Sequence, residues 1–197
     1  MELRDRFPPL APEALTEAQR RASDAIASGP RGGVYGPFVP LLRSPELMDC
    51  AQRMGEYLRY RNAVGTPLSE LAILVIARFW NQQVEWAIHA PIAARAGIGK
   101  STIAAIAAGH RPTSLTADEA VVYDFCSELQ TAKAISDATF GRALARFGEQ
   151  GVVDLLGVSG YYTFLAMVMN GAQTAPPPSE ASPLPDLGES RGATGPP

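Results

Sequence analysis

Apolar residues recur every three or four positions along most of the chain, which is the spacing of one face of an α-helix. No segment shows the strict apolar–polar alternation of a half-buried strand. The pattern therefore predicts an all-α fold. The predicted helices cover residues 16–28, 44–62, 66–77, 81–96, 100–108, 116–133, 136–147 and 149–170.

Several of these helices have recognisable ends. Residues 44–46 read Ser-Pro-Glu, which is the order of N-cap, first-turn proline and early acid, and Thr66 with Pro67 repeats it. Asn81 is the predicted N-cap of the helix that Gly97 closes. Pro91, inside that helix, should kink or loosen it.

The chain divides into one helical domain and a tail. The domain covers residues 1–171, with an N-terminal helix and loop over 1–43 and a core over 44–171. Residues 172–197 are predicted to form a Pro-rich flexible tail, because a segment so rich in proline, serine and glycine buries too little apolar area to offset the entropy of ordering. Residues 152–170 are apolar enough for a membrane span, but Asp154 and the absence of a basic flank favour a core or subunit-interface helix.

Composition and charge indicate which classes of partner to expect. The chain has 197 residues, 46% of them hydrophobic and 19% charged, with a formal net charge of −3. A buried core is expected, while nucleic acid and membranes are not expected partners. Cys50 and Cys126 have no CxxC spacing, which disfavours a disulfide framework and a zinc site. Residues 1–20 lack an apolar signal region, so a cytoplasmic location is expected.

The candidate chemistry lies in RFWNQQVEWAIHAP, residues 78–91, where Glu85 precedes His89 by four positions. Residues at this spacing share a helix face, so the carboxylate can hydrogen-bond the imidazole as in a general acid or base. The alternative is a solvated surface pair that contributes only about 0.2–0.5 kcal/mol. Glu70, at the head of an apolar helix, is a second candidate carboxylate, although an early acid also interacts favourably with a helix N-terminus.

The order of motifs resembles a known family. Glu70 is followed by LAILVIARFW, NQQVEWAIH, APIAARAGI and IAAIAAGHRPTSLTADEAVVYDFCSEL, and GPFVPLLRSPEL lies upstream. Over residues 30–170 this order is similar to the carboxymuconolactone decarboxylase superfamily, which includes alkylhydroperoxidase D. The resemblance implies a multi-helix bundle of that fold and a homo-oligomer, commonly a homotrimer or homohexamer, with an active site near a subunit boundary.

One departure from the family pattern separates its branches. The peroxidase branch uses a glutamate, a CxxC pair and a histidine, and the resemblance carries the glutamate to Glu70 and the histidine to His89. The cysteine positions hold Gln82 and Glu85. Peroxide reduction by this route requires one thiolate to attack and a second thiol to resolve the sulfenic acid, so it is not expected here.

The resemblance then implies a cofactor-independent lyase, a decarboxylase acting on a small carboxylated lactone or a related carbonyl compound. His89 is the expected acid, Glu85 its orienting partner and Glu70 a second carboxylate. No metal is expected, although these three side chains also resemble a carboxylate-rich metal face. The expected substrate contacts are Gln82, Gln83, Trp80, Trp86, Arg78 and Arg31.

Each expected contact has another reading. The glutamines suit a helix start, the two tryptophans suit a packed core, and each arginine, including the further candidates Arg59 and Arg111, suits a surface ion pair. Two other functions stay open: a ligand-binding or accessory oligomer without turnover, and a thiol peroxidase that uses Cys50 or Cys126.

Overall fold

A computed structural model describes residues 5–179 and 181–187. Within them the chain is all-helical and has no strand, which confirms the predicted all-α class. A short 3₁₀ turn at Pro12–Ala14 precedes the first helix. The α-helices are α1 (Glu17–Ser28), α2 (Phe38–Leu41), α3 (Pro45–Tyr60), α4 (Thr66–Phe79), α5 (Gln83–Arg95), α6 (Lys100–Ala107), α7 (Ala117–Ala132) and α8 (Asp137–Ala172).

The ends of the predicted helices lie within two residues of the observed ones, but two local features differ. The short helix α2 lies in a segment that was expected to be loop. Asn81 does not cap α5, because it adopts a left-handed conformation (φ 49°) in the α4–α5 turn and Gln82 caps the helix instead. The two last predicted helices are the two halves of α8, and they meet at a kink at Gly148, where the break was predicted. With φ 68° and ψ 180°, that kink requires glycine.

Helix α4 is the centre of the bundle. Every residue from 69 to 78 is buried, and the helix packs against α5, α7 and α8. Leu71, Leu74 and Ile76 have no solvent exposure. A helix that is apolar on all sides must be surrounded by other helices, so its few polar side chains, Glu70 among them, are carried into the core.

Helix α8 is fastened to α3 by a buried carboxylate. Asp154 is 5% exposed and accepts hydrogen bonds from the Tyr57 hydroxyl, at 3.1 and 3.2 Å, and from the Ala63 backbone N–H, at 2.7 Å. Asp154 therefore joins α8 to the end of α3 and to the turn that follows it.

Helix α8 is also long and apolar enough to cross a membrane, but 56% of its most apolar window is buried inside the protein. Because core helices of soluble proteins pass the same length and composition test, this is weak evidence for a span.

The segment after α8 is docked on α5 as far as the structure describes it, which differs from the flexible tail that its composition predicts. Gln83 pairs with the backbone of Leu184 in both directions, at 2.9 and 3.0 Å, and Trp86 Nε1 donates to Ser182 O at 3.2 Å. The Leu184 side chain is buried. Residues 180 and 188–197 lie outside the described residues.

The contact at Ser179 explains how α5 tolerates an internal proline. Pro91 has no N–H, so the carbonyl of Ala87, four residues earlier, loses its usual helical donor. The Ser179 hydroxyl donates to that carbonyl at 2.6 Å. The expected loosening at Pro91 does not interrupt α5, which continues to Arg95.

We predict that Asp154→Ala lowers the free energy of unfolding by about 2–3 kcal/mol, because it removes the buried carboxylate that accepts from both the Tyr57 hydroxyl and the Ala63 N–H and leaves these part-buried donors unpaired. Tyr57→Phe, which removes one donor and leaves the carboxylate paired to Ala63, should cost about 1 kcal/mol. Urea unfolding measures both. A loss below about 0.5 kcal/mol for Asp154→Ala would contradict this role.

We also predict that Gln83→Ala releases the docked segment, because Gln83 makes both hydrogen bonds to Leu184. Limited proteolysis should then cut within residues 174–187 faster than in the wild type. Pro177→Ala, at an exposed position without a described side-chain contact, is the control. Equal cleavage rates in Gln83→Ala and the wild type would contradict the role of Gln83 in holding the segment.

Candidate active site

Glu70, Glu85 and His89 meet in the core between α4 and α5. Their exposed fractions are 1%, 4% and 4%. His89 Nδ1 lies 2.7 Å from Glu70 Oε2, and His89 Nε2 lies 3.6 Å from Glu85 Oε2. Both ring nitrogens of the histidine therefore face a carboxyl group.

The fold explains this meeting. Glu85 and His89 share a face of α5 because they are four residues apart. The tight turn of residues 80–82 sends α5 back against α4, so that this face lies beside the first turns of α4, where Glu70 is found. The pairing of Glu85 with His89 is local, whereas the bond from Glu70 to His89 depends on the packing of the two helices.

Groups from other helices enclose the histidine. The Tyr162 ring, on α8, meets the His89 ring edge-on with centroids 5.2 Å apart, and Tyr161 packs on Tyr162 in the same manner at 5.3 Å. Arg59, on α3, places its Nε 3.9 Å from Glu70 Oε1. The Glu70 carboxylate thus has a histidine on one oxygen and an arginine near the other.

A small cavity adjoins this cluster. Its volume is about 20 Å³, enough for about one water molecule. Tyr35, which is 44% exposed, lies on its wall, so the cavity adjoins solvent. The polar groups on its wall are those of Arg31, Tyr35, Arg59, Glu85, His89 and Tyr162.

Burial makes Glu85 an unusual carboxyl group. Removal from water, together with the nearby Glu70 carboxylate, raises the pKa of Glu85 to about 8, against the smaller opposing influence of Arg31 and Arg59. Glu85 is therefore mostly protonated at neutral pH. Its Oε1 is buried and has no hydrogen-bond partner in the described part of the chain.

The two tyrosines keep their protons throughout the physiological range. Burial raises the pKa of Tyr161 to about 12 and that of Tyr162 well above its ordinary value. Both hydroxyls are therefore available as donors rather than as charged groups.

Most of the expected substrate contacts lie elsewhere. Gln82 accepts from the Val84 N–H at 2.6 Å and donates to Asn170 at 2.7 Å, so it caps α5 and ties it to α8. Gln83 and Trp86 hold the docked segment. Gln83 and Trp86 are rotated about the helix axis away from the face that carries Glu85 and His89. A helix cannot present both faces to one cavity.

Arg78, Arg111 and Trp80 also lie away from the cavity. Arg78 donates to the carbonyls of Ala107 and Pro185, and Arg111 forms a surface pair with Asp124. Trp80 packs edge-on against Phe79 and is not among the residues that line the cavity. Of the expected contacts, Arg31 is the one on the cavity wall.

The sequence missed Tyr35, Tyr161 and Tyr162. They come from the loop before α2 and from α8, far along the chain from the motif of residues 78–91. Polar-tipped aromatic residues inside an otherwise apolar helix were the one available signal for the adjacent pair on α8, since a buried tyrosine hydroxyl usually needs a partner.

Neither cysteine belongs to the cavity wall. Cys126 is buried beside Ser159, and burial raises the pKa of its thiol to about 12, so it holds little thiolate at neutral pH. Cys50 is exposed on α3. The structure thus gives no support to a thiol peroxidase that uses either residue.

Within residues 5–179 and 181–187, no group of three histidine, cysteine, aspartate or glutamate side chains is arranged to hold a metal ion. Comparisons with protein families and with curated proteins gave no match to this chain.

We predict that Glu85→Gln stabilises the protein increasingly as pH rises. The pKa of folded Glu85 is about 8, whereas that of an unfolded glutamate is near 4.5. Between these pH values the folded state binds more protons than the unfolded state, so the wild type loses stability as pH rises from 4.5 to 8. Glutamine removes this loss. From pH 5 to pH 9 the difference between variant and wild type should grow by at least about 1.4 kcal/mol in favour of the variant.

Urea midpoints at several pH values measure this difference. Glu46→Gln, at an exposed position, is the matched control and should show no comparable trend. A difference between Glu85→Gln and wild type that stays constant with pH would contradict the assignment of a neutral Glu85.

Proposed function

We propose that this protein is a cofactor-independent acid–base lyase, a decarboxylase acting on a small carboxylated lactone or a related carbonyl compound. The observation that carries the proposal is the buried cluster in which His89 lies between the carboxyl groups of Glu70 and Glu85. Ionisable groups buried this deeply cost free energy, and such clusters concentrate at functional sites. The resemblance to the carboxymuconolactone decarboxylase superfamily supports the same reaction class.

The reaction needs little beyond such a cluster. When the bond to the carboxylate carbon breaks, carbon dioxide leaves and its electron pair stays on the ring. An adjacent double bond delocalises that pair onto the lactone carbonyl, so the substrate acts as its own electron sink. The protein must stabilise the charge on the carbonyl oxygen and deliver one proton to carbon.

The geometry divides these tasks differently from the sequence-based expectation, in which His89 is the acid. Glu85 is mostly protonated near pH 7, lines the cavity and has a free Oε1, which suits it to deliver the proton. Glu70 accepts from His89 Nδ1 and fixes the ring, so Nε2 carries no proton and faces Glu85. After Glu85 has given its proton to carbon, Nε2 can take up a proton from solvent and pass it to Glu85. Glu70 is thus a positioning residue.

The remaining wall favours loss of charge. Leu165 and Met169 are buried apolar residues beside the cavity, and Phe38 closes another side. A carboxylate moved from water into this setting loses hydration, whereas neutral carbon dioxide loses little. The apolar wall would therefore favour the product over the bound substrate.

We further propose that the protein works as a homo-oligomer, a homotrimer or homohexamer as in the family it resembles. An outward row on α8 supports this. Val153, Leu156 and Met167 are exposed apolar residues at helical spacing. An apolar row of this kind is typical of a face that a second subunit covers.

We predict that Glu85→Gln and His89→Gln each lower the rate of decarboxylation by about 10²–10⁴-fold, the usual contribution of a general acid or base. Glu70→Gln should lower it less, because it affects the orientation of His89. The assay follows loss of carbon dioxide by ultraviolet absorbance and mass spectrometry across a set of unsaturated γ-carboxy lactones, with chelator present.

His110→Gln is the matched control, because His110 is the other histidine of the chain and is exposed. Its rate should equal that of the wild type. Activity should also fall as pH rises through about 8, as Glu85 loses its proton. Turnover that survives both His89→Gln and Glu85→Gln would contradict the proposal, and so would a wild type inactive on every lactone.

A further inference from the structure

Polar atoms without partners occur on the cavity wall, at Arg31 and Glu85, and on Tyr161, which packs against the wall residue Tyr162. Arg31 Nε and Nη2, the Tyr161 hydroxyl and Glu85 Oε1 are shielded from solvent and have no hydrogen-bond partner among the described residues. A buried donor without an acceptor costs about 1–3 kcal/mol, and more when it is charged. Arg31 offers donors only, and the phenol and the protonated carboxyl group can also donate, so the group that would satisfy all three is an acceptor.

Gly55 shows that two of these groups converge. A Cβ atom placed at Gly55 on α3 would lie 2.1 Å from the Tyr161 hydroxyl and 2.5 Å from Arg31 Nη2. The phenol and the guanidinium therefore approach the same point of the α3 backbone. Any side chain there would displace both, so glycine is required for their approach.

The arginine is held in place by its surroundings. Its guanidinium carbon lies 4.7 Å from the centroid of the Phe38 ring, and its backbone carbonyl accepts from the Tyr35 hydroxyl at 2.9 Å. Because these contacts leave the donor edge free, the guanidinium is oriented without being neutralised.

The charges nearby do not balance. No carboxylate oxygen lies within 4.0 Å of the Arg31 guanidinium in the described part of the chain, whereas Arg59 is close to Glu70. The Arg31 guanidinium is therefore a positive charge with no carboxylate beside it among the described residues. A single negative charge would pair with it.

We infer that Arg31 and Tyr161, brought together over Gly55, form a binding subsite for one carboxylate group of a small ligand. The guanidinium edge donates to the carboxylate oxygens and the phenol donates to one of them, which is the arrangement that planar anions favour. Arg31 also lines the cavity of Glu85 and His89, which has room for about one water molecule. A carboxylate therefore reaches the acid only when the solvent-exposed Tyr35 side of the wall moves outward.

This inference rests on the proposed function in naming a carboxylated lactone as the ligand. The carboxylate held here is one that the reaction retains, because a guanidinium stabilises the charge that the departing carboxylate must lose, and the subsite binds it whether or not turnover follows. The inference also narrows the substrate class. The ligand class is a carboxylated ring with one carboxylate at Arg31, while Arg59, the other guanidinium on the cavity wall, faces Glu70.

The test uses 5-oxotetrahydrofuran-2-carboxylate, a γ-carboxy lactone without the double bond that decarboxylation needs, and its neutral methyl ester. Isothermal titration calorimetry measures binding to the full chain near pH 7. The wild type should bind the acid at least tenfold more tightly than the ester. Arg31→Met should lose at least tenfold in affinity, and Tyr161→Phe about threefold to tenfold.

Three further variants refine the result. Arg95→Met, at an exposed position at the end of α5, should bind as the wild type does. Arg31→Lys keeps the charge without the planar edge and should recover part of the affinity. His89→Gln should still bind the acid, because the subsite does not include the imidazole. Circular dichroism checks that each variant is folded, and Tyr161→Phe carries the test if Arg31→Met is not.

Equal affinity of Arg31→Met and wild type for the acid would overturn the subsite, as would equal binding of acid and ester or no binding by the wild type. Arg31-dependent binding by a protein that decarboxylates no unsaturated lactone would leave the subsite standing and remove the proposed function. Decarboxylation that depends on His89 but is unaffected by Arg31→Met and Tyr161→Phe would support the proposed function and overturn the subsite.

Discussion

The contact between Glu70 and His89 is the constraint on which the rest of the site depends. A carboxylate that is 1% exposed is stable only if its charge is paired, and here the imidazole lies 2.7 Å away with Arg59 near the other oxygen. Removing one partner of a buried pair typically costs 3–5 kcal/mol, because the remaining charge is left uncompensated. This contact therefore fixes the register of α4 against α5, the orientation of the histidine and the approach of α3.

The same contact influences the protonation state of Glu85. A second carboxyl group on the far side of the imidazole, buried and near an ionised Glu70, favours its neutral form, which is the physical origin of its raised pKa. Helix α5 is held from both sides. Its inner face carries the site, while Gln83 and the carbonyl of Ala87 bind the segment that follows α8. The scaffold thus holds Glu85 and His89 in place, as the proposed acid–base catalysis requires.

The sequence predicts interactions between residues close together in the chain better than interactions between residues on different helices. Helical periodicity and capping residues placed nearly all helices, and the four-residue spacing alone placed Glu85 beside His89. The neighbours of that pair could not be read in this way, because Tyr161, Arg31 and the bond to Glu70 depend on which helices pack together. The flexible tail was predicted from composition, which reflects the entropy cost of ordering a Pro-rich segment. Composition does not reveal the hydrogen bonds by which Gln83 and Trp86 hold that segment.

The most direct test of the account is to observe the proton on Glu85. Infrared difference spectra between the wild type and Glu85→Gln, recorded across the pH range, isolate the carbonyl stretch of this one carboxyl group in its protonated form. The account predicts that the band is present at neutral pH and disappears near pH 8, where the pKa of Glu85 lies. A band already lost by about pH 5, as for an ordinary glutamate, would contradict it.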